Sequence, residues 1–176
     1  FSPPARRASP SPRRTSGAKA PQANKAVLMK KVMIVGCGNM GALYDFGADP
    51  NLPPRSHLSA FRGDPRFTVS TLVDPRIEVL EKLGRATGIN RLYTSLDHVS
   101  DLDSYDVVTL ATSSQVRLDL LKQICGRAKL VFCEKPLARD FNEACEIAAV
   151  LRNQPSKFVL NYSRRWALGV STTLNR

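Results

Sequence analysis

The chain has 176 residues, 43% of them hydrophobic and 23% charged, which suits one ordinary domain with a sizeable core. Its formal charge of +11 suggests an acidic partner, but Arg6, Arg7, Arg13, Arg14, Lys19 and Lys25 lie in residues 1–28 with no acid among them, leaving +5 for the rest. No nucleic-acid recognition motif accompanies the charge, and no run approaches the roughly 18 apolar residues of a membrane span, so neither a nucleic-acid module nor a membrane-spanning protein is expected.

Residues 1–28 are rich in Pro, Ser, Ala and Arg and show no periodicity. Such a segment cannot bury enough apolar surface to offset its ordering entropy, so a disordered extension is expected. Its Arg- and Ser-rich, acid-free character also fits an organellar transit sequence, the alternative to a cytoplasmic protein with an extension before Met29. From residue 29 to 162 short apolar runs alternate with helical patterns. Strands are predicted at Val32–Val35, Phe67–Val73, Leu92–Thr94, Asp106–Ala111, Lys129–Cys133 and Lys157–Leu160. Helices are predicted at Ser56–Arg62, with Ser56 as N-cap, and at Arg76–Thr87, where Ile77, Leu80 and Leu83 share a face and Gly88 ends the helix. Two more fall at Gln115–Cys125, closed by Gly126, and at Phe141–Leu151, the latter with Ala144, Ile147, Ala148 and Leu151 on one face. Parallel strands require crossovers, so this alternation predicts an α/β fold, a doubly wound parallel sheet with helices on both faces. Cys37, Cys125, Cys133 and Cys145 form no CxxC pair and have no His cluster nearby. Buried free thiols in a reducing compartment are expected, and no zinc site.

Gly36-Cys37-Gly38-Asn39-Met40-Gly41 is a GxGxxG sequence that directly follows the first strand. In that context Gly36 permits the tight turn, Gly38 lets a pyrophosphate approach the backbone, and Gly41 brings the next helix close to the sheet. The open N–H groups of Asn39 and Met40 at that helix start attract phosphate. The pattern is the dinucleotide-binding fingerprint of the Rossmann fold and calls for NAD, with NADP as the alternative. Asp74, at the end of the second strand, can accept both ribose hydroxyls of NAD, or can cap the helix after Pro75. It lies further along than the usual roughly 20 residues because Asp45–Arg55 is inserted, and Arg76 can neutralise the 2′-phosphate of NADP.

Cys133-Glu134-Lys135-Pro136-Leu137-Ala138 closes the fifth strand, and Asn161-Tyr162-Ser163-Arg164-Arg165-Trp166 follows the sixth. With the glycine loop and His57-Leu58-Ser59-Ala60-Phe61, these segments resemble the glucose–fructose oxidoreductase and inositol dehydrogenase family (Gfo/Idh/MocA) over residues 30 to about 166. The resemblance implies a sugar or cyclitol dehydrogenase in which Lys135 stands near substrate and nicotinamide and carries the catalytic proton or alkoxide charge. It implies cofactor contacts for Thr112, Ser113, Glu134 and Lys135, with Glu134 either positioning the lysine or touching a ribose. It implies substrate contacts for Lys135, Asn161 and Arg165. Ser113 and Arg117 depart from the family, which commonly has Pro and His at those places. His57 is read as a packing residue and His98 as a loop residue. The family adds a second α/β domain, so residues 163–176 are expected to begin the connection to a domain missing here, and the full-length protein is expected to form a homo-oligomer. The competing function is a non-catalytic NAD(P)-binding regulator on the same fold.

Overall fold

The computed structural model describes residues 28–49 and 51–166, without the side chains of Arg165 and Trp166. The disordered extension expected at 1–28 therefore lies, but for Leu28, outside the described residues, as does most of the connection expected at 163–176. Six strands form one sheet: β1 (Lys30–Val35), β2 (Phe67–Val73), β3 (Arg91–Tyr93), β4 (Val107–Leu110), β5 (Leu130–Glu134) and β6 (Lys157–Asn161). Every neighbouring pair is parallel, and the order across the sheet is β3-β2-β1-β4-β5-β6. This is the doubly wound Rossmann order, which reverses direction between β1 and β4 and opens a crevice at the strands' carboxyl ends.

Alternation along each strand divides the core. On one face Val32, Ile34 and Leu72 pack with helices α1 (His57–Arg62) and α2 (Ile77–Thr87), through Leu58, Leu80 and Leu83. On the other, Met33, Val35, Val108 and Val131 pack with α3 (Arg117–Ile124) and α4 (Phe141–Arg152), through Leu121, Ile124 and Ile147. Burying a side chain such as Leu80 or Leu83 contributes about 1.5–3 kcal/mol. Among the described residues no helix is long and apolar enough to cross a membrane.

The structure corrects several details of the sequence reading. Ile77 is half exposed, because α2 starts at that residue, outside the stripe that faces the sheet. The chain enters α3 through a short 3-10 turn, Ser114–Val116, rather than at Gln115. In α4 the buried face runs through Glu143 and Ile147, and Ala148 is exposed. Glu143 is tolerated there because its carboxylate takes the Arg139 backbone N–H and guanidinium. Cys37, Cys125 and Cys133 are buried free thiols, but Cys145 is exposed.

Candidate functional site

The glycine loop leaves β1 and packs as tightly as its pattern requires. Gly36 has φ +88, and a Cβ there would lie 2.8 Å from the Ala111 carbonyl. Gly41 sits so close that a Cβ would lie 1.8 Å from the Gly36 carbonyl oxygen. Gly38 is different, because a Cβ there would meet nothing within 4 Å. Among the described residues no atom requires a glycine there. The backbone there stays open, and the first-turn N–H groups of a helix lack intrahelical acceptors, which is the arrangement that the dinucleotide fingerprint calls for beside a pyrophosphate. The following helical segment is a single π-type turn, Asn39–Leu43, in which the Gly38 carbonyl accepts from Ala42 and Leu43 N–H. Asn39 and Met40 are exposed on it.

Asp74 stands where predicted, but its carboxylate is already occupied. Oδ2 accepts the Cys37 N–H at 2.8 Å and Arg76 Nη2 at 2.9 Å. Oδ1 accepts the Arg76 N–H at 3.0 Å and Nε at 2.8 Å. Burial alone would raise its pKa, but the Arg76 and Cys37 donors outweigh burial and hold the carboxyl ionised, below the usual range. The aspartate thus braces the glycine loop, and Arg76 covers the face that a ribose would take. The neighbouring Cys37 thiol is pushed up to about 12, chiefly by burial and then by the Asp74 charge.

At the other end of the crevice, β5 delivers Glu134 and Lys135. Glu134 is buried and Lys135 is exposed at the strand's carboxyl end, before a cis peptide bond to Pro136. Glu134 Oε1 accepts from His57 Nε2 at 2.9 Å and from Asn161 Nδ2 at 2.6 Å. His57 is therefore more than the packing residue read from the sequence. Its ring does lie on Phe132, 5.3 Å between centroids, but its nitrogen is spent on a carboxylate 77 positions away. Burial would raise the Glu134 pKa; the His57 and Asn161 hydrogen bonds reverse this and lower it. Asn161, assigned to substrate by resemblance, uses its amide on Glu134. A cavity of 380 Å³ lies over this cluster and reaches Met40 of the glycine loop.

Thr112 and Ser113 follow β4. Ser113 is exposed, and Thr112 Oγ1 is buried with no hydrogen-bond partner among the described residues. Arg117, at the position where the family commonly has His, is fully buried and donates to the Thr112 and Pro136 carbonyl oxygens. It ties the loop after β4 to the loop after β5. Sequence reasoning noted this residue only as a departure, because a buried guanidinium bound to two neutral carbonyls leaves no charge pattern in the chain. Arg164 is exposed, and the side chain of Arg165, the other residue assigned to substrate, lies outside the described residues. His98 ends a short 3-10 turn and is exposed.

A family model described as an oxidoreductase family with an NAD-binding Rossmann fold matches residues 30–162. The chain belongs to the Gfo/Idh/MocA family. Its fold is the family's NAD-binding Rossmann domain, and the matched residues include all six strands and the glycine loop described above. D-apiose dehydrogenase of Paraburkholderia graminis is 26% identical over 112 residues, which are 64% of this chain and 30% of that protein. Among solved structures, myo-inositol 2-dehydrogenase from Lactobacillus plantarum has a TM-score of 0.65 at 19% identity, covering 84% of this chain and 40% of that one. The WlbA dehydrogenase from Bordetella pertussis, solved with NADH and UDP-GlcNAcA, has a TM-score of 0.64 at 20% identity, covering 82% and 40%. The chain spans less than a third of the length of the curated relatives it matches.

Proposed function

We propose that this Gfo/Idh/MocA domain serves a dehydrogenase that oxidises a hydroxyl of a sugar or cyclitol, or reduces the matching carbonyl. The observation that carries the reading is the placement of Lys135. It is an exposed cation at the carboxyl end of β5, on the residue after a buried carboxylate anchored by two side chains. Ligands of open α/β sheets bind at that edge. A nicotinamide bound there would supply the hydride chemistry. Lys135 supplies a positive charge where an alkoxide develops, or relays the hydroxyl proton. Relatives named for D-apiose and myo-inositol favour a polyol as the substrate class.

The test is turnover across a panel of sugars and cyclitols, on the protein at the length of its curated relatives. Lys135→Met should lower turnover by about 100- to 10,000-fold while NAD affinity changes by less than about threefold. A fall below roughly tenfold would move the proton to another residue. Tight NAD binding with no turnover of any polyol would instead favour a non-catalytic NAD(P)-binding regulator.

A further inference from the structure

Three segments far apart in the chain meet on one oxygen atom. His57 opens α1, Glu134 ends β5 and Asn161 ends β6. Both His57 Nε2, at 2.9 Å, and Asn161 Nδ2, at 2.6 Å, are directed to Glu134 Oε1. Oε2 accepts no side-chain hydrogen bond from the described residues. A carboxylate with both donors on one oxygen cannot rotate freely, and its second oxygen is held at a fixed place. His57 and Glu134 are each buried, with side-chain exposures of 5% and 6%. An ionised carboxylate at that depth is costly unless charge-assisted hydrogen bonds compensate it. The cation next in sequence, Lys135, is exposed. The cavity above the cluster is lined by Met40, His57, Glu134 and Asn161, so the clamped carboxylate and the glycine loop border one space.

We propose that His57 is a positioning residue: together with Asn161 it clamps Glu134 and thereby sets the Glu134–Lys135–Pro136 corner for the nicotinamide-riboside end of the cofactor. The proposal rests on the preceding reading only in placing that end of NAD at β5. His57 acts through Glu134 and is not a catalytic residue. Its helix gives it a firm base. Ser56 caps α1 by accepting the Ser59 N–H, while the Ser59 hydroxyl accepts the Ser56 N–H in return. The imidazole at the first helical position is therefore fixed at its backbone as well as at its ring.

The experiment compares two ligands that differ only at the end in question. ADP carries the adenosine and the pyrophosphate, and NADH adds the nicotinamide riboside. Titrate both by calorimetry into the chain and into its His57→Leu, His57→Gln and Asn161→Ala variants. His57→Leu keeps apolar bulk against Phe132 and removes the donor. NADH affinity should fall about tenfold, with ADP affinity unchanged within about twofold. His57→Gln, whose amide N–H can reach Oε1, should recover most of the NADH affinity. If His57→Leu fails to fold, Asn161→Ala removes the other donor from the same oxygen and should show the same split. In the unaltered chain, ¹⁵N NMR should find the His57 Nε2 proton present and slow to exchange, and Glu134→Gln should speed that exchange. Parallel losses of NADH and ADP affinity would reduce His57 to a packing residue and overturn the proposal. So would a His57→Gln variant no better than His57→Leu, or an unprotonated Nε2. The titrations contain no sugar or cyclitol. A protein that turns over no polyol but shows the split keeps the clamp and loses the dehydrogenase reading; a polyol dehydrogenase without the split does the reverse.

Discussion

At the β1–β2 end of the sheet's carboxyl edge the candidate site is mostly backbone: three glycines and a helical turn, braced by the Asp74 carboxylate, whose oxygens are already satisfied by Cys37 and Arg76. At the β5–β6 end it is made of side chains: Glu134, His57 and Asn161 in a hydrogen-bonded cluster, with Lys135 exposed beside it. The two ends answer different needs. A pyrophosphate is the same in every dinucleotide, so a fixed cradle of N–H groups, as the glycine-loop fingerprint implies, would serve it. If hydride transfer takes place at β5, as proposed above, that end must hold charge in a defined place, and side chains can be tuned for that. Backbone sites should therefore fail by steric clash, and side-chain sites by loss of a donor or a charge.

The glycines give the strongest test of the first half. Gly41→Ala puts a methyl group 1.8 Å from the Gly36 carbonyl oxygen, and that backbone cannot yield without opening the β1 turn. A loss of more than about 4 kcal/mol, or failure to fold, is expected in chemical denaturation. Gly38→Ala meets nothing within 4 Å, so stability should stay within about 0.5 kcal/mol. NAD affinity should still fall at least about tenfold, because the added methyl group fills the space the pyrophosphate needs. Unchanged NAD binding in Gly38→Ala would mean that the cradle lies elsewhere, and the contrast between the two ends would lose its footing.

The same contrast governs how much of the site could be read in the sequence. The glycine loop is six consecutive residues after an apolar strand, so its geometry is written locally, and the sheet follows from strand–helix alternation. Lys135 and Glu134 were visible only through a resemblance. The His57 clamp was not visible, since its members are 77 and 27 positions from Glu134 and meet only when α1, β5 and β6 are in place. A single histidine at the start of an apolar helix carries no local sign that its ring is spent on a carboxylate. The Arg76 cover on Asp74 was half visible. The two residues are neighbours, so either could be assigned to the ribose, but only the structure shows them bound to each other.

That pairing gives the next prediction. Arg76 occupies both Asp74 oxygens, so a ribose diol must displace its guanidinium to reach the carboxylate. The Arg76 side chain is about half exposed, so a 2′-phosphate arriving at Asp74 would meet its charge. Arg76→Ala uncovers the aspartate and removes the cation. NAD binding should tighten and NADP binding weaken, moving the ratio of their affinities about tenfold toward NAD, or about 1.4 kcal/mol. Calorimetric titration of both cofactors into both proteins measures the ratio. A ratio that does not move, or moves toward NADP, would show that Arg76 takes no part in cofactor choice.

The smallest effect concerns the segment joining the two ends. The insertion at residues 45–55 runs from the π-type turn of the glycine loop to α1, whose first residue is His57. Asp45 closes it. Its Oδ2 accepts the Arg55 N–H at 2.7 Å, the Ser56 N–H at 3.3 Å and the Ser59 hydroxyl. Burial would raise the Asp45 pKa, but hydrogen bonds from Ser56, Ser59 and the Arg55 backbone prevail and bring it to about 2. The folded pKa lies below the unfolded value of about 3.9, so the ionised carboxylate stabilises the fold fully above pH 4 to 5. That stability is lost as pH falls from about 4 through about 2, when the native carboxylate takes up its proton. Asp45→Asn lacks this charge at every pH. At pH 7 it should melt a few degrees below the unaltered chain, as the loss of a cap-like interaction of about 1 kcal/mol would give. The gap between the two melting curves should narrow as pH drops below 4. Asp64 and Asp101 are also held at about 2, but both proteins carry them, so the difference between the curves isolates Asp45. A gap that stays constant down to pH 3 would mean that the Asp45 charge does not hold the insertion, and that α1 is fixed by packing and the Ser56–Ser59 box alone.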